Sequence, residues 1–391
     1  MSGPARIVLT NPTCWPEVRR GSERLLHEHA AWQVAQGHDV TVISTHLGER
    51  VEQRSGGVRL ILLPRRLTGL PANRWLGRFH AFALQVRDEI RRARAEGAAF
   101  DVAHCLNYHD AFGVLLAGPE RPRLAYHVVG IPLRAYFRWI PHDGWMFRRV
   151  LRDADACAVT SRHAQQMLAH EFGATATVLP SPSDLAPLLA TPKPPNDGRL
   201  RLLFAADADE PRKGAVLLAR AFAAVRDARP DAELTFGGPA SDAAIRTIRA
   251  AARPADVPHL LFPGAGDPDD LPTRYAAATV LVHPAVWEAQ GMVLVEALAC
   301  GTPVVACDHS GVRDIIDDPG IGRLFAPGPI EGHAATDHAA LARATLMAAD
   351  LAAVPGTEAS CRARAMPFGW ATQGPAYARF LGLATADGAV Q

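Results

Sequence analysis

The sequence predicts an α/β protein built from two doubly wound parallel-sheet domains that face each other across a cleft. Three observations carry that reading. Short apolar strands alternate with helical stretches along nearly the whole chain, the pattern of a parallel sheet covered on both faces. The alternation is interrupted by a Pro-rich segment and then starts afresh. The chain has 391 residues, 48% of them hydrophobic, with a formal net charge of +1. That is enough for two cores, and it excludes disordered and fibrous classes.

The elements follow in order. ARIVLT is the first strand, and NPTCWPEVRRGSE is the loop after it. A helix is expected from Glu23 to Gln36, with Ser22 as N-cap and Gly37 as C-cap. The strand HDVTVIST comes next, then apolar runs at Val58–Leu63, Asp101–Cys105, Leu124–Val128, Ala156–Thr160 and Thr177–Leu179. These make a first domain, 1–180. Residues 181–198 carry five prolines from Pro182 to Pro195 and read as a linker. A second domain, 199–365, has strands at Leu200–Ala205, Glu233–Phe236, Leu260–Phe262, Val280–His283 and Val304–Cys307. Residues 366–391 hold a last helix, which either returns to the first domain or caps its own.

The chemistry concentrates in HPAVWEAQGMVLVEALACGTPVVA. A buried strand runs into a loop carrying Glu288, and the loop runs into a helix carrying Glu296. Gly291 lies between them, where backbone must come close to something. The N–H groups of Met292, Val293 and Leu294 fall at the helix start and suit phosphate oxygens. A phosphate seat flanked by carboxylates suits a nucleotide sugar. One acid can hold hydroxyls of the sugar and the other hydroxyls of the ribose.

This stretch resembles the signature of retaining glycosyltransferases of the GT-B fold, glycosyltransferase family four (glycosyl transferases group 1): Glu, seven residues, Glu, then a Gly-Thr-Pro-Val-Val strand. The resemblance implies two Rossmann-like domains and a nucleotide diphosphate sugar donor, with UDP-sugar placed first and GDP-mannose second. It implies transfer with retention of anomeric configuration. Lys213, in ADADEPRKG, takes the place of a lysine that meets the donor diphosphate. The family's loop arginine is missing near Ala206 and Asp207, and Arg212 is the candidate stand-in. Gly21 takes the place of the second glycine of a Gly-Gly loop facing the phosphates, with Arg20 where the first would be. His127, ending RLAYH, takes the place of a histidine beside the donor sugar. Gly264, Ala265 and Gly266 match a segment lining the base pocket. The resemblance further implies that Glu288 holds sugar hydroxyls, with backbone from Ala289, Gln290, Gly291 and Met292, that Glu296 holds the ribose, and that catalysis rests on His127, Glu288 and Lys213. Asn107, Tyr108, His109 and Asp110 follow another strand end and are candidates for the acceptor side.

No metal and no cofactor is expected. The chain holds three DxD pairs (Asp153/Asp155, Asp207/Asp209, Asp267/Asp269), and three copies argue against any one being a metal mark. Six scattered cysteines form no CxxC pair. A dehydrogenase fingerprint and nucleic-acid motifs are absent. A nucleotide-sugar epimerase of the same fold and a non-catalytic nucleotide-sugar binder remain as alternatives. The acceptor is a glycan, a lipid-linked sugar or glycolipid, or a small molecule. Residues 1–180 carry 23 Arg, no Lys and 16 acids, or +7; residues 181–391 carry 18 bases and 24 acids, or −6. Two Arg- and aromatic-rich stretches, PRRLTGLPANRWLGRF and LRAYFRWIPHDGWMFRR, suit an anionic membrane surface, a sugar or a diphosphate, or are amphipathic helices with core aromatics. The opening MSGPARIVLT lacks the apolar core of a leader peptide, so a cytoplasmic location is expected, with peripheral contact at the inner membrane face as an option.

Overall fold

The structure, a computed structural model, describes residues 3–15, 17–18, 21–66, 74–195, 197–331 and 334–383, except for the side chains of 74–78 and 268. Arg20 lies outside the described residues, as do the side chains of Arg74, Trp75 and Arg78. The chain divides into two compact units. The first unit is Met1–Pro182 with Trp370–Gln391, and the second is Ser183–Gly369.

The first unit alternates as β1 (Arg6–Thr10), α1 (Gly21–Ala35), β2 (Asp39–His46), β3 (Val51–Ser55), β4 (Val58–Pro64), α2 (Arg74–Ala95), β5 (Val102–Cys105), α3 (Tyr108–Leu116), β6 (Arg123–Val128), α4 (Pro141–Asp153), β7 (Ala156–Val159), α5 (Arg162–Phe172) and β8 (Thr177–Val178). The strands lie in the order β3-β4-β2-β1-β5-β6-β7-β8. All neighbours are parallel except β3 against β4. The central strands are buried on both faces, which is why they read as continuous apolar runs. β3 is largely polar and exposed along its length, so apolar patterning does not reveal it. Its only sequence signal is the Gly56-Gly57 turn, where both glycines have positive φ.

The second unit runs α6 (Ala186–Ala190), β9 (Arg201–Phe204), α7 (Ala215–Ala228), β10 (Glu233–Phe236), α8 (Asp242–Ala251), β11 (Leu260–Leu261), α9 (Leu271–Ala277), β12 (Val280–His283), α10 (Met292–Ala299), β13 (Val304–Cys307), β14 (Gly322–Phe325), α11 (His338–Ala352) and α12 (Thr357–Ala365). Its six parallel strands lie in the order β11-β10-β9-β12-β13-β14. Both sheets are doubly wound, and the fold is GT-B.

Three expectations change. The first helix starts at Gly21, so Ser22 is inside its first turn and donates to Glu23 Oε2 at 2.9 Å rather than capping it. The Pro-rich segment is no free tether: Leu185 and Leu188 are buried in a core of the second unit. Lys193 anchors it further, donating to the carbonyls of Ala276 (3.2 Å) and Ala278 (3.0 Å) and to Thr302 Oγ1 (2.8 Å). β14 was not expected either; its GRLF sequence gives little apolar signal. The last helix, α13 (Trp370–Leu381), belongs to the first unit. Trp370 and Tyr377 pack on His29 with ring centroids 5.2 and 5.0 Å away, and Trp370 Nε1 donates to Glu28 Oε2 at 3.2 Å.

Candidate active site

In the second sheet the strand order reverses between β9 and β12, which pair with each other. Such a switch point leaves a crevice beyond the carboxyl ends of the two strands. The loop after β9 delivers Arg212 and Lys213 in a single 3-10 turn, Pro211–Lys213. The loop after β12 delivers Glu288. The two loops are tied by a hydrogen bond from Val286 N–H to the Arg212 carbonyl, 3.0 Å. Gly214 has φ +79°, and a Cβ there would meet Pro284 Cγ at 2.9 Å, so glycine alone lets the loops close up.

Three cationic or titratable groups converge on one oxygen of Glu288. Lys213 Nζ donates to Oε2 at 2.6 Å, His283 Nε2 lies 3.2 Å from it, and Arg212 Nη1 lies 3.9 Å away. Arg212 also pairs with Glu210 at 2.7 Å. The side chains of Lys213 and Glu288 are 15% and 16% exposed, so the pair sits at the edge of solvent. Burial pushes the Glu288 carboxyl up, but the Lys213 charge and the His283 hydrogen bond outweigh it and hold the group well below the usual carboxylate range. Burial pushes His283 down, against the pull of Glu288. Glu288 is therefore an anion fixed beside a cation, ready for polar contacts to a sugar and a phosphate.

The backbone around Glu288 is strained. Trp287 (φ 57°) and Ser310 (φ 66°) are the two non-glycine residues with positive φ among those described. Trp287 precedes Glu288, and its ring meets His309 edge-on at 4.7 Å. Gly311, after Ser310, donates its N–H to the Glu288 carbonyl at 2.9 Å. Left-handed backbone at bulky residues is costly and gathers at functional sites.

Gly291 (φ +99°) precedes α10. Met292 and Val293 occupy the first turn, where helical geometry gives their N–H groups no intrahelical acceptor. Leu294 differs from expectation: its N–H turns back to the Gly291 carbonyl at 3.0 Å and is no free donor. Ala289 and Gln290 complete the loop, Gln290 buried. Glu296 lies inside α10, 3% exposed, and accepts a hydrogen bond from Tyr275 at 2.7 Å. In the Gly264–Gly266 loop, Arg274 donates to the Gly264 carbonyl at 2.8 Å, and a Cβ on Gly266 would collide with the same guanidinium.

The sequence reading missed His283 as a site residue. Its signal was present: a histidine at the very end of a buried strand, five residues before Glu288. The DxD pairs serve local structure. Asp209 accepts from the Ser241 N–H at 2.8 Å, Asp155 from the Leu124 N–H at 2.7 Å, and Asp267 from the Asp269 N–H at 3.1 Å. None belongs to the metal-capable cluster found among the described residues.

In the first unit, several candidates sit differently from expectation. His127 is fully buried, with His104, Tyr377 and Phe380 around its ring at 5.8, 5.9 and 6.1 Å and the Leu179 backbone beside it. The reason is α13, whose aromatic face covers this part of the sheet. His109 and Asp110, expected on the acceptor side, are 2% and 0% exposed. Asp110 accepts from Thr10 Oγ1 at 2.7 Å, and burial pushes its carboxyl well above the usual range. Asn107 caps α3 through the His109 N–H, and the Tyr108 hydroxyl donates to Asp143 at 2.8 Å. Gly21 is exposed at the start of α1. The Arg- and aromatic-rich stretches divide. Phe79 and Phe147 are buried, whereas Tyr136, Trp139 and Trp145 are 57%, 83% and 57% exposed. Arg138 stacks over Trp139 at 5.2 Å, and Arg65 pairs with Glu17 at 2.7 Å. No helix among the described residues is long and apolar enough to cross a membrane.

Two family models cover most of the chain. The description "Glycosyltransferase Family 4" matches residues 19–186, and "Glycosyl transferases group 1" matches residues 191–341. A phosphatidyl-myo-inositol mannosyltransferase of Propionibacterium freudenreichii is 26% identical over 361 residues, covering 88% of this chain and 86% of that protein. A GDP-mannose-dependent alpha-(1-6)-phosphatidylinositol monomannoside mannosyltransferase of Mycolicibacterium smegmatis is 29% identical over 196 residues, 45% of this chain and 50% of that protein. Among solved structures, sucrose-phosphate synthase from Thermosynechococcus elongatus superposes with a TM-score of 0.76 at 21% identity, covering 97% of this chain and 99% of that one. With both models matched and both sheets wound as GT-B, the chain belongs to the family-four, group 1 glycosyltransferases.

Proposed function

We propose that this enzyme moves a sugar, with retention of configuration, from a nucleotide diphosphate sugar to an acceptor hydroxyl, and that the donor is held by the second unit. The observation that carries the reading is the Lys213–Glu288 pair at the β9/β12 switch point, 2.6 Å long and at the edge of solvent. Lys213 offers a compact positive charge for the diphosphate, with Arg212 beside it and the Met292 and Val293 N–H groups at the start of α10. These dipoles and charges are in place before the leaving group gains negative charge, which is how preorganised electrostatics lowers a barrier. Glu288 holds sugar hydroxyls and orients the anomeric carbon. Glu296 holds the ribose, and Gly264–Gly266 let backbone approach the base. Divalent metal is not needed for the transfer, because cations of the protein neutralise the phosphates.

The second carboxylate near Glu288 among the described residues, Glu210, is paired with Arg212 at 2.7 Å, and we assign it no role as a covalent nucleophile, which favours front-face substitution. The bond from the anomeric carbon to the phosphate oxygen breaks, and its electron pair leaves with the phosphate. The bond from the acceptor oxygen forms on the same face, and the acceptor's proton passes to the leaving phosphate. Mannosyltransferases among the relatives reverse the donor order suggested by sequence: GDP-mannose now comes first and UDP-sugar second. Relatives named for phosphatidylinositol substrates favour a lipid-linked or inositol-bearing acceptor, and the exposed Tyr136, Trp139 and Trp145 would serve contact with a lipid surface.

A thermal-shift panel of nucleotide diphosphates and their sugars tests this. A bound donor raises the melting temperature by mass action. GDP and GDP-mannose should raise it most. A rise with UDP-sugars alone would restore the other order, and no rise with any nucleotide diphosphate would overturn the function.

A further inference from the structure

The first unit holds a cluster of ionisable side chains to which the transfer proposed above gives no role. His80 of α2, His109 of α3 and Asp143 of α4 each offer one ligand atom, and these atoms lie within 4.8 Å of one another. His80 Nε2 is 2.6 Å from Asp143 Oδ1, and His109 Nε2 is 3.3 Å from Oδ2. Asp143 is fully buried and His109 nearly so, while the His80 side chain is 15% exposed.

The hydrogen bonds fix which nitrogen of His109 carries its proton. Asn107 Oδ1 accepts the His109 backbone N–H at 3.0 Å as the cap of α3. The same oxygen lies 2.9 Å from His109 Nδ1. An oxygen already turned toward a backbone N–H can only accept, so Nδ1 is the N–H of the ring. A neutral His109 then presents the lone pair of Nε2 to the Asp143 carboxylate. Oδ2 of that carboxylate already accepts the Tyr108 hydroxyl at 2.8 Å. A lone pair facing a carboxylate repels unless a positive charge sits between them.

That arrangement is how proteins prepare a histidine for metal: the far nitrogen is tied to an outer acceptor, and the near one is left to coordinate. Two imidazoles and one carboxylate match the ligand types of zinc. With metal–ligand bonds of ~2 Å, ligand atoms stand roughly 3–3.5 Å apart. The His109–Asp143 distance already fits, and His80, at the rim, needs only a small outward turn. His142 Nε2, 3.4 Å from Asp143 Oδ1 and exposed, lies outside that three-residue group and would have to turn inward to supply a fourth ligand.

We propose that His80, His109 and Asp143 bind one Zn²⁺ that clips α2, α3 and α4 together. The ion is structural and takes no part in the transfer assigned to the second unit. The competing explanation is a doubly protonated His109 paired with Asp143.

The test uses the full chain, purified without chelators and with any affinity tag removed. Zinc is counted by mass spectrometry of the metal, and melting is followed before and after chelation and after adding Zn²⁺ back. About one zinc per chain is expected in the wild type, with the melting temperature falling several degrees on chelation and recovering with Zn²⁺. His80→Gln and Asp143→Asn should each hold less than roughly a tenth of an equivalent and show no response to Zn²⁺. If Asp143→Asn does not fold, His80→Gln decides, because His80 lies at the edge of the site. A wild type with only background zinc and no melting response, or a His80→Gln variant that binds zinc as the wild type does, overturns the proposal.

Discussion

In the second unit the strand order reverses between β9 and β12, and the loops beyond those strands gather Arg212, Lys213 and Glu288 at the edge of solvent, beside the buried His283 that ends β12. In the first unit it reverses between β2-β1 and β5, and the residues beyond β1 and β5 close on themselves. Thr10 donates to Asp110 at 2.7 Å, Thr13 donates to Glu23 at 2.5 Å, and Asn11 donates to the Thr13 carbonyl at 2.7 Å. Glu23 and Asp110 are both buried. The same topology thus yields a charged crevice in one unit and a polar buttress in the other. Among the described residues, what separates them is that Glu288 keeps an edge toward solvent while Glu23 and Asp110 are buried. A switch point marks where a ligand can bind; the partners of its side chains decide whether one does.

The largest expected effect tests the second-unit crevice. Glu288→Gln should lower turnover by ~10²–10³-fold while leaving the affinity for nucleotide diphosphate within a few-fold. Steady-state kinetics alongside calorimetric binding would show it, and equal loss in both would remove Glu288 from orientation of the sugar. Next, Lys213→Ala should weaken the nucleoside diphosphate by ~10-fold, with the free nucleoside little changed. An equal effect on both ligands would mean that Lys213 does not touch phosphate.

The matching change in the first unit should move stability instead. Thr10→Val removes the donor to buried Asp110 and should cost about 1–3 kcal/mol in denaturant unfolding. Donor affinity should stay within a factor of two or so, because the two loop sets do different work. A large loss of donor affinity with unchanged stability would break the comparison.

Acid should weaken the first unit too. Burial pushes His29 down to about 3 and His127 down to about 4, from the ordinary 6.5. His104 is lowered by burial and by its two histidine neighbours. Between pH 6.5 and about 4 the unfolded chain takes up protons that the folded rings refuse. The stability these rings contribute is full above the ordinary value and is lost as pH falls through that window. Melting curves recorded across it should fall steadily, and His127→Leu should shallow the fall. A His127→Leu enzyme that melts like the wild type yet loses turnover would instead restore the sugar contact expected from sequence.

Much of this was legible in the sequence, for identifiable reasons. Strands buried on both faces announce themselves as apolar runs, so Glu233–Phe236, Val280–His283 and Val304–Cys307 have the same bounds in both readings. The Glu288 loop was legible because glycine, acids and a helix start fall at fixed spacing. Pairing across the chain was not. Nothing local says that Lys213 meets Glu288, or that α13 lays aromatic rings over His29, His104 and His127. The His80–His109–Asp143 cluster is illegible for the same cause: its members come from three helices, and only tertiary packing brings them together. β3 escaped because an exposed polar strand has no apolar period to detect.

The central claim is that donor diphosphate binds the second unit at residues 211–214 and 288–294. Hydrogen–deuterium exchange of the full chain, with and without saturating nucleotide diphosphate, tests it most directly. Slowed exchange over those two segments, with residues 107–110 unchanged, is the predicted result. Protection confined to 107–110, or none at 288–294, would contradict it.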